Sequence, residues 1–141
     1  LWTTGWAMAT GQAGEVCRAW NFEPVTELVW EKVTINGKDS MGTGYRARTM
    51  HEPLLLGKIG NPRHKAFPSR FKGVRREHSR KPDEQYDIIQ ECSPGPFLEL
   101  FARGSRPGWH QWGNQVEDYN PDWATYSNHS QVAKKVRKKA G

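Results

Sequence analysis

The stretch LWTTGWAMATGQAGEVCRAWNFEPVTELVWEKV, residues 1–33, contains the change of period that decides the fold class. It opens on aromatic and β-branched residues and breaks at Gly5, which reads as the C-terminal end of a strand running into a loop. Over residues 8–20 the apolar positions Ala9, Ala13, Val16, Cys17 and Trp20 recur at three- and four-residue spacing. That spacing predicts an amphipathic helix, and Asn21 is placed to stop it. Residues 24–33 return to β-branched and aromatic types and predict a second strand. Strand, helix, strand is the unit from which parallel sheets are built, so the expected class is α/β.

Working outward, residues 34–45 hold Asn36-Gly37 and Gly42-Thr43-Gly44 and read as an irregular loop. Residues 53–59 predict a short strand ended by Gly60-Asn61-Pro62, residues 63–68 a polar turn, and residues 70–74 a third strand on the same sheet. Lys81-Pro82-Asp83-Glu84 starts a helix with proline in its first turn and two acids near the positive end of the macrodipole. That helix is expected to run to residue 91 or 92, where Ser93-Pro94-Gly95-Pro96 ends it. Residues 97–102 read as a buried strand with one acid, Glu99, near its middle. Such an acid marks a site, or else the solvent face of an edge strand. Residues 103–112 are rich in Gly, Pro and Trp, and residues 113–116 open a last strand or turn. From residue 128 a basic arm follows, with five cations among residues 134–139.

The composition bounds the partners. A chain of 141 residues, 35% hydrophobic and 11% aromatic, fits one domain with a modest core. A formal charge of +6 and an isoelectric point near 9.5 favour a polyanion, nucleic acid above all. The seven tryptophans serve cores, pockets or stacking platforms. Cys17 and Cys92 show no CxxC or Cys/His spacing, which predicts reduced thiols, an intracellular setting and no structural metal. No apolar run approaches the roughly 18–20 residues that span a bilayer and no signal peptide is recognisable, so a cytoplasmic location without membrane contact is expected.

Taken in order, several short motifs point to a family. They are LWTTG at 1–5, GTGY at 42–45, HE at 51–52 before LLLG at 54–57, RKPDE at 80–84, SPG at 93–95, and ELFAR at 99–103 followed by PGW at 107–109 and GNQ at 113–115. In this order and spacing the chain resembles, over residues 1–116, the MT-A-seventy-like family of S-adenosylmethionine-dependent N6-adenine methyltransferases. The resemblance implies the C-terminal part of a Rossmann-like class I methyltransferase fold, with a mixed sheet and flanking helices, over residues 1–127, followed by the arm at 128–141. It implies S-adenosyl-L-methionine as cofactor and methyl transfer to N6 of adenine. DNA is the preferred polymer because the chain is compact, with RNA as the other choice.

The same resemblance assigns residues. Lys81 reaches the cofactor carboxylate, although without the motif it would read as a solvated lysine at a helix start. Arg103 meets the ribose side, Asn114 and Gln115 form an amide pair lining the pocket, and Glu99 helps to order that wall. Tyr45, Arg46, Arg48 and His51 match a substrate-side loop that meets phosphates or stacks on a flipped base; the plainer reading of the two arginines is solvent-facing charge. The family's chemistry depends on an Asp-Pro-Pro-Trp tetrapeptide, expected ahead of the Leu-Trp-Thr-Thr strand. It does not occur in residues 1–141, so no catalytic residue is assigned. Asn120-Pro121-Asp122-Trp123 follows the last matched motif and reads as a turn. The chain is therefore expected to need the N-terminal part of the domain, or a homo- or hetero-oligomeric partner. The alternative is an inactive nucleic-acid-binding or partner subunit of the same family. A hydrolase built on Glu99 and a histidine has no nucleophile-base spacing to support it.

Overall fold

The computed structural model describes residues 1–77 and 79–116, which fall into two compact units, Leu1–Arg75 with Lys81–Pro94, and Arg76–Arg80 with the chain from Gly95 onward. The arm at 128–141 and Asn120-Pro121-Asp122-Trp123 lie outside the described residues.

In the first unit the expected helix over residues 8–20 is two helices, α1 (Gly5–Ala9) and α2 (Gln12–Ala19). Gly11 sits between them at φ +82°, a conformation that interrupts the helical ladder. Thr4 caps α1, its hydroxyl accepting from the Ala7 N–H at 3.2 Å. The end of α2 is as expected. Asn21 takes the left-handed conformation at φ 63°, and the N–H groups of Asn21 and Phe22 return to the carbonyls of Arg18 and Cys17 at 2.9 and 3.0 Å. This double closure satisfies two orphan carbonyls.

Three strands follow the expected positions: β1 (Glu23–Val33), β2 (His51–Lys58) and β3 (Arg70–Val74). They form one sheet in the order β2-β1-β3, with β1 antiparallel to β2 and parallel to β3. Residues 1–3 join the far side of β2. Trp2 bridges Leu54 in antiparallel fashion, the Thr3 N–H donates to the Pro53 carbonyl at 3.1 Å, and the Leu55 N–H donates to the Leu1 carbonyl at 2.8 Å. The opening strand therefore runs parallel to β1, as the strand-helix-strand pattern predicts, but β2 lies between them and runs the other way. The sheet is mixed. The reversal comes from the loop at 34–50, whose stem is closed by Thr34 N–H to Lys38 O at 2.7 Å, Ser40 N–H to Lys32 O at 2.8 Å and Lys32 N–H to Met50 O at 2.9 Å.

Each face of the sheet is covered. On one, Leu55 packs with Ala13 and Cys17 of α2, flanked by Ala7 and Met8. On the other, Trp30 is 2% exposed and its indole N–H donates to the Gly73 carbonyl at 2.8 Å. Pro82 is also fully buried there. A Cβ on Gly73 would come within 2.7 Å of both the Pro82 Cβ and the Trp30 indole nitrogen, so only glycine lets these three pack. Helix α3 (Glu84–Cys92) starts two residues later than the proline-first reading predicts, with Asp83 in the N-cap position. Pro82 stands ahead of the helix because it is spent on the core. No helix among the described residues is long and apolar enough to cross a membrane.

The second unit holds β4 (Phe97–Leu100) and β5 (Trp109–Trp112), paired in parallel with Phe97 beside Trp109 and Glu99 beside Gln111. Two expectations are corrected here. The Gly-, Pro- and Trp-rich segment at 103–112 contains the strand β5, because Trp-His-Gln-Trp is itself strand-compatible once Pro107 and Gly108 have turned the chain. And β4 is not buried on both faces: Leu98 and Leu100 are 61% and 40% exposed. Phe97 and Glu99 occupy its inner side, with Phe97 stacked on Trp109 at 5.0 Å.

Gly73→Ala is expected to lower stability by about 1–3 kcal/mol, the range for overpacking a filled core. Gly5→Ala, where an added Cβ meets nothing within 4 Å, should be neutral or mildly stabilising. Thermal melts of the two variants beside the parent check this pair.

Candidate functional site

In the first unit the residues that matter gather on the Trp30 face of the sheet. Glu52 enters β2 beside Trp30, and Lys32 lies two positions further along β1 on the same face, a diagonal cross-strand neighbour. The Lys32 ammonium pairs with Glu52 Oε1 at 2.7 Å, and Lys81, from the segment ahead of α3, donates to Glu52 Oε2 at 2.5 Å. Each ammonium also sits over an indole ring, Lys32 over Trp30 at 5.3 Å and Lys81 over Trp2 at 5.4 Å. The two indoles meet edge to face at 5.9 Å, and the Trp2 N–H donates to Gln85 Oε1 at 2.5 Å. Burial pushes the Glu52 carboxyl up, but the hydrogen bonds and charges of Lys32 and Lys81 outweigh it and hold the group below its ordinary 4.5. Two ammonium groups on one carboxylate leave one net positive charge, and a lysine head has three donors. The node suits an incoming anion such as a carboxylate.

In the second unit, β4 and β5 end side by side. Phe101 turns through the left-handed region at φ 59°, and the Ala102 N–H donates to the Trp112 carbonyl at 2.9 Å. Gly113 lies against the Ala102 peptide, where a Cβ would come within 2.6 Å of the Ala102 oxygen. That approach sets Arg103 and Asn114 as the next residues of two adjoining chains, with Gln115 following. The carboxyl ends of neighbouring parallel strands are where α/β sheets take up ligands. Gln111 of β5 divides its amide between the loop at 104–106 and Glu99 of β4. Its Oε1 accepts the Arg106 N–H at 2.5 Å, while its Nε2 donates to the Gly104 carbonyl at 2.6 Å and to Glu99 Oε2 at 3.0 Å. Glu99 is thus held half-buried on the inner side of β4.

The loop at 42–49 is pinched by the Gly42 N–H donating to the Thr49 carbonyl at 2.8 Å. It presents Tyr45, Arg46 and Arg48 to solvent, Tyr45 without any cover, and His51 is exposed at the start of β2. One Arg48 guanidinium nitrogen lies 3.6 Å from the Met41 sulfur. These four residues share one surface segment of the first unit. Lys81 belongs to that unit as well, whereas Glu99, Arg103, Asn114 and Gln115 belong to the second. Lys32 and Gln111 are additions that no motif singles out, and Glu52, part of the HE motif, carries no assigned role in the sequence; their partners depend on strand register, which residue spacing alone does not give. No group of His, Cys, Asp and Glu among the described residues has the makings of a metal site.

A sequence profile of the MT-A70 family matches residues 1–115, and the chain belongs to that family. It is 34% identical over 127 residues to a rice protein, Oryza sativa subsp. japonica, named probable N(6)-adenosine-methyltransferase MT-A70-like, with 82% of this chain and 17% of that protein covered. It is 33% identical over 131 residues to the human N(6)-adenosine-methyltransferase catalytic subunit METTL3, covering 83% of this chain and 21% of the relative. The human N(6)-adenine-specific methyltransferase METTL4 is 30% identical over 118 residues, with 72% and 25% covered. The chain thus spans about a fifth of the length of these relatives.

The Glu52 node has a readable acid limb. Because its folded-state pKa is depressed, its contribution to stability is complete above 4.5 and drains away as pH falls through the lowered value. Glu52→Gln is expected to cost about 1–2 kcal/mol at neutral pH, after discounting for partial exposure. The variant should also lose part of the pH dependence below 4.5 that urea melts show for the parent.

Proposed function

We propose that this chain supplies the cofactor-clamping and nucleic-acid-facing part of an enzyme that transfers a methyl group from S-adenosyl-L-methionine to N6 of adenine in a polynucleotide. The observation that supports this reading is the pairing of strand ends in the second unit, where Gly113 closes on the Ala102 peptide, so that Arg103 and the Asn114-Gln115 pair each follow directly on a joined strand end. All of these residues lie within the segment that matches the family. Their chemistry fits the cofactor: a guanidinium and two amides suit a ribose diol and an adenine. Taken by itself, the net positive Lys32-Glu52-Lys81 node of the first unit suits a carboxylate. When bound, S-adenosylmethionine supplies the activated methyl group. The role of this chain's residues is to hold and orient, which is where much of such a rate enhancement lies.

In this reading the chain is the C-terminal part of a Rossmann-like fold over residues 1–127 with a basic arm behind it, and the N-terminal part of the domain or a partner brings the Asp-Pro-Pro-Trp motif. The loop at 42–51 meets the substrate, with Tyr45 as the stacking face and Arg46, Arg48 and His51 as donors to phosphate. The names of the rice protein and of METTL3 specify adenosine, which favours RNA over the DNA that compactness pointed to. A second reading, an inactive nucleic-acid-binding partner, is favoured by the formal charge of +6 and the five cations among residues 134–139.

The test uses the full-length protein with labelled S-adenosylmethionine and matched adenine-containing RNA and DNA strands, with N6-methyladenine read by mass spectrometry. Transfer is expected on RNA. Arg103→Ala and Lys81→Ala should each raise KM for S-adenosylmethionine on the order of ten- to a hundredfold, the size of one lost charge-assisted hydrogen bond. Nucleic-acid binding with neither cofactor binding nor transfer would establish the inactive-partner reading instead.

A further inference from the structure

The segment KIGNPRHKAFPSRFKGVR, residues 58–75, contains no Asp or Glu. Its cations are not on a loose tail. The Lys65 N–H donates to the Cys92 carbonyl at 2.9 Å, tying the loop ahead of β3 to the end of α3. The Val29 N–H donates to the Ser69 carbonyl at 2.7 Å and the Arg75 N–H to the Val33 carbonyl at 2.8 Å, so residues 69–75 are pinned along β1. Among the described strands β3 is at the edge of its sheet. Lys58 and Arg70 have carboxylate partners, Glu23 at 3.6 Å and Glu31 at 3.1 Å. Arg63, Lys65, Lys72 and Arg75 are exposed and make no ion pair among the described residues.

Four uncompensated cations on a pinned backbone do not neutralise anything in the unit that carries them. Arg70 and Lys72 project from the same side of β3, about 6.6 Å apart at the usual rise of a parallel strand. Arg70's side chain is 73% exposed, and its pairing with Glu31 is of the surface kind that contributes little and gives way readily to another anion. A run of exposed cations with no carboxylate among them, carried on an anchored backbone, matches a polyanion of repeated phosphates. A lipid surface calls for apolar side chains to insert beside the cations, and Ile59 is the one large apolar residue well exposed in this segment.

We propose that the β3 edge and the loop before it, through Arg63, Lys65, Lys72 and Arg75, form a phosphate-tracking surface that grips the polynucleotide backbone away from the target adenine. This inference rests on the nucleic-acid reading above but uses none of the residues assigned to cofactor or target base. Backbone contacts of this kind position a strand without reading its sequence.

The experiment measures binding of a 20-nucleotide single-stranded RNA, and of DNA with the same sequence, to the full-length protein between low and physiological salt. The quadruple variant Arg63→Gln, Lys65→Gln, Lys72→Gln, Arg75→Gln is compared with the parent. Each phosphate contact to a single strand contributes about 0.7 to the slope of log affinity against log salt, so the variant's slope is expected to flatten by roughly 2 to 3. Its KM for S-adenosylmethionine should not change. A charge-preserving variant, Arg63→Lys with Arg75→Lys, should keep the parent slope, which separates charge from folding. An unchanged slope in the quadruple variant, while the parent binds RNA or DNA, overturns this inference alone. A parent that binds neither polymer overturns the functional reading as well. Self-association of the variant with an unchanged slope would make the cations guards of an open strand edge. Loss of binding only to phosphatidylserine vesicles would make the surface a membrane contact. Both results reject the polynucleotide.

Discussion

The hydrogen bond from the Trp30 indole to the Gly73 carbonyl is the contact on which the first unit depends. It joins β1 to β3 on a face where Pro82 fills the space that a side chain on residue 73 would have taken. Trp2 then packs its edge against Trp30 and finds its own acceptor in Gln85 of α3. Both indole nitrogens are satisfied, so one buried ring and one half-buried ring pack together without stranding a donor. The same packing fixes the approach of the chain into α3, and Lys81, immediately before Pro82, has its position set by core geometry. Its ammonium meets Glu52 because Pro82 is where it is.

Much of this was legible in the residues. The strand at 24–33, the strands at 53–59 and 70–74, and the helix ending before Ser93 come from β-branched runs and punctuation by Gly, Asn and Pro, which are local signals. Asn21 as the stop of α2 is another, since a left-handed residue is needed and asparagine tolerates it. The break at Gly11 was not legible, because apolar spacing alone continues across it. Pro82 misled for a related reason: proline is compatible with a first helical turn, but here its ring is wanted in the core. The parallel neighbour expected for β1 from the first strand was displaced by β2, a matter of long-range pairing that no local pattern records.

The site divides along the same line. The motifs at Lys81, Glu99, Arg103, Asn114 and Gln115 are visible as short strings, and the structure supplies what the strings omit, namely which backbone closes on which. Gly113 against Ala102 explains why a Gly precedes the Asn-Gln pair, and Gln111 explains how Glu99 is held. Lys32 was hidden because it looks like an ordinary polar residue on an alternating strand, and Glu52, although part of the HE motif, showed no partner that would give it a role. They become partners only when β1 and β2 are set in register.

The two cysteines acquire a use from their positions. Cys17 is buried beneath α2 on one face of the first unit's sheet, and Cys92 is buried at the last turn of α3, the helix that carries Gln85 on the other face. Both are free thiols. An alkylating reagent reaches either one only when its own helix lifts. The rate of labelling at each position therefore reads the opening of one layer independently of the other, and local breathing on the helical side can be timed separately from breathing on the side that holds the charge node.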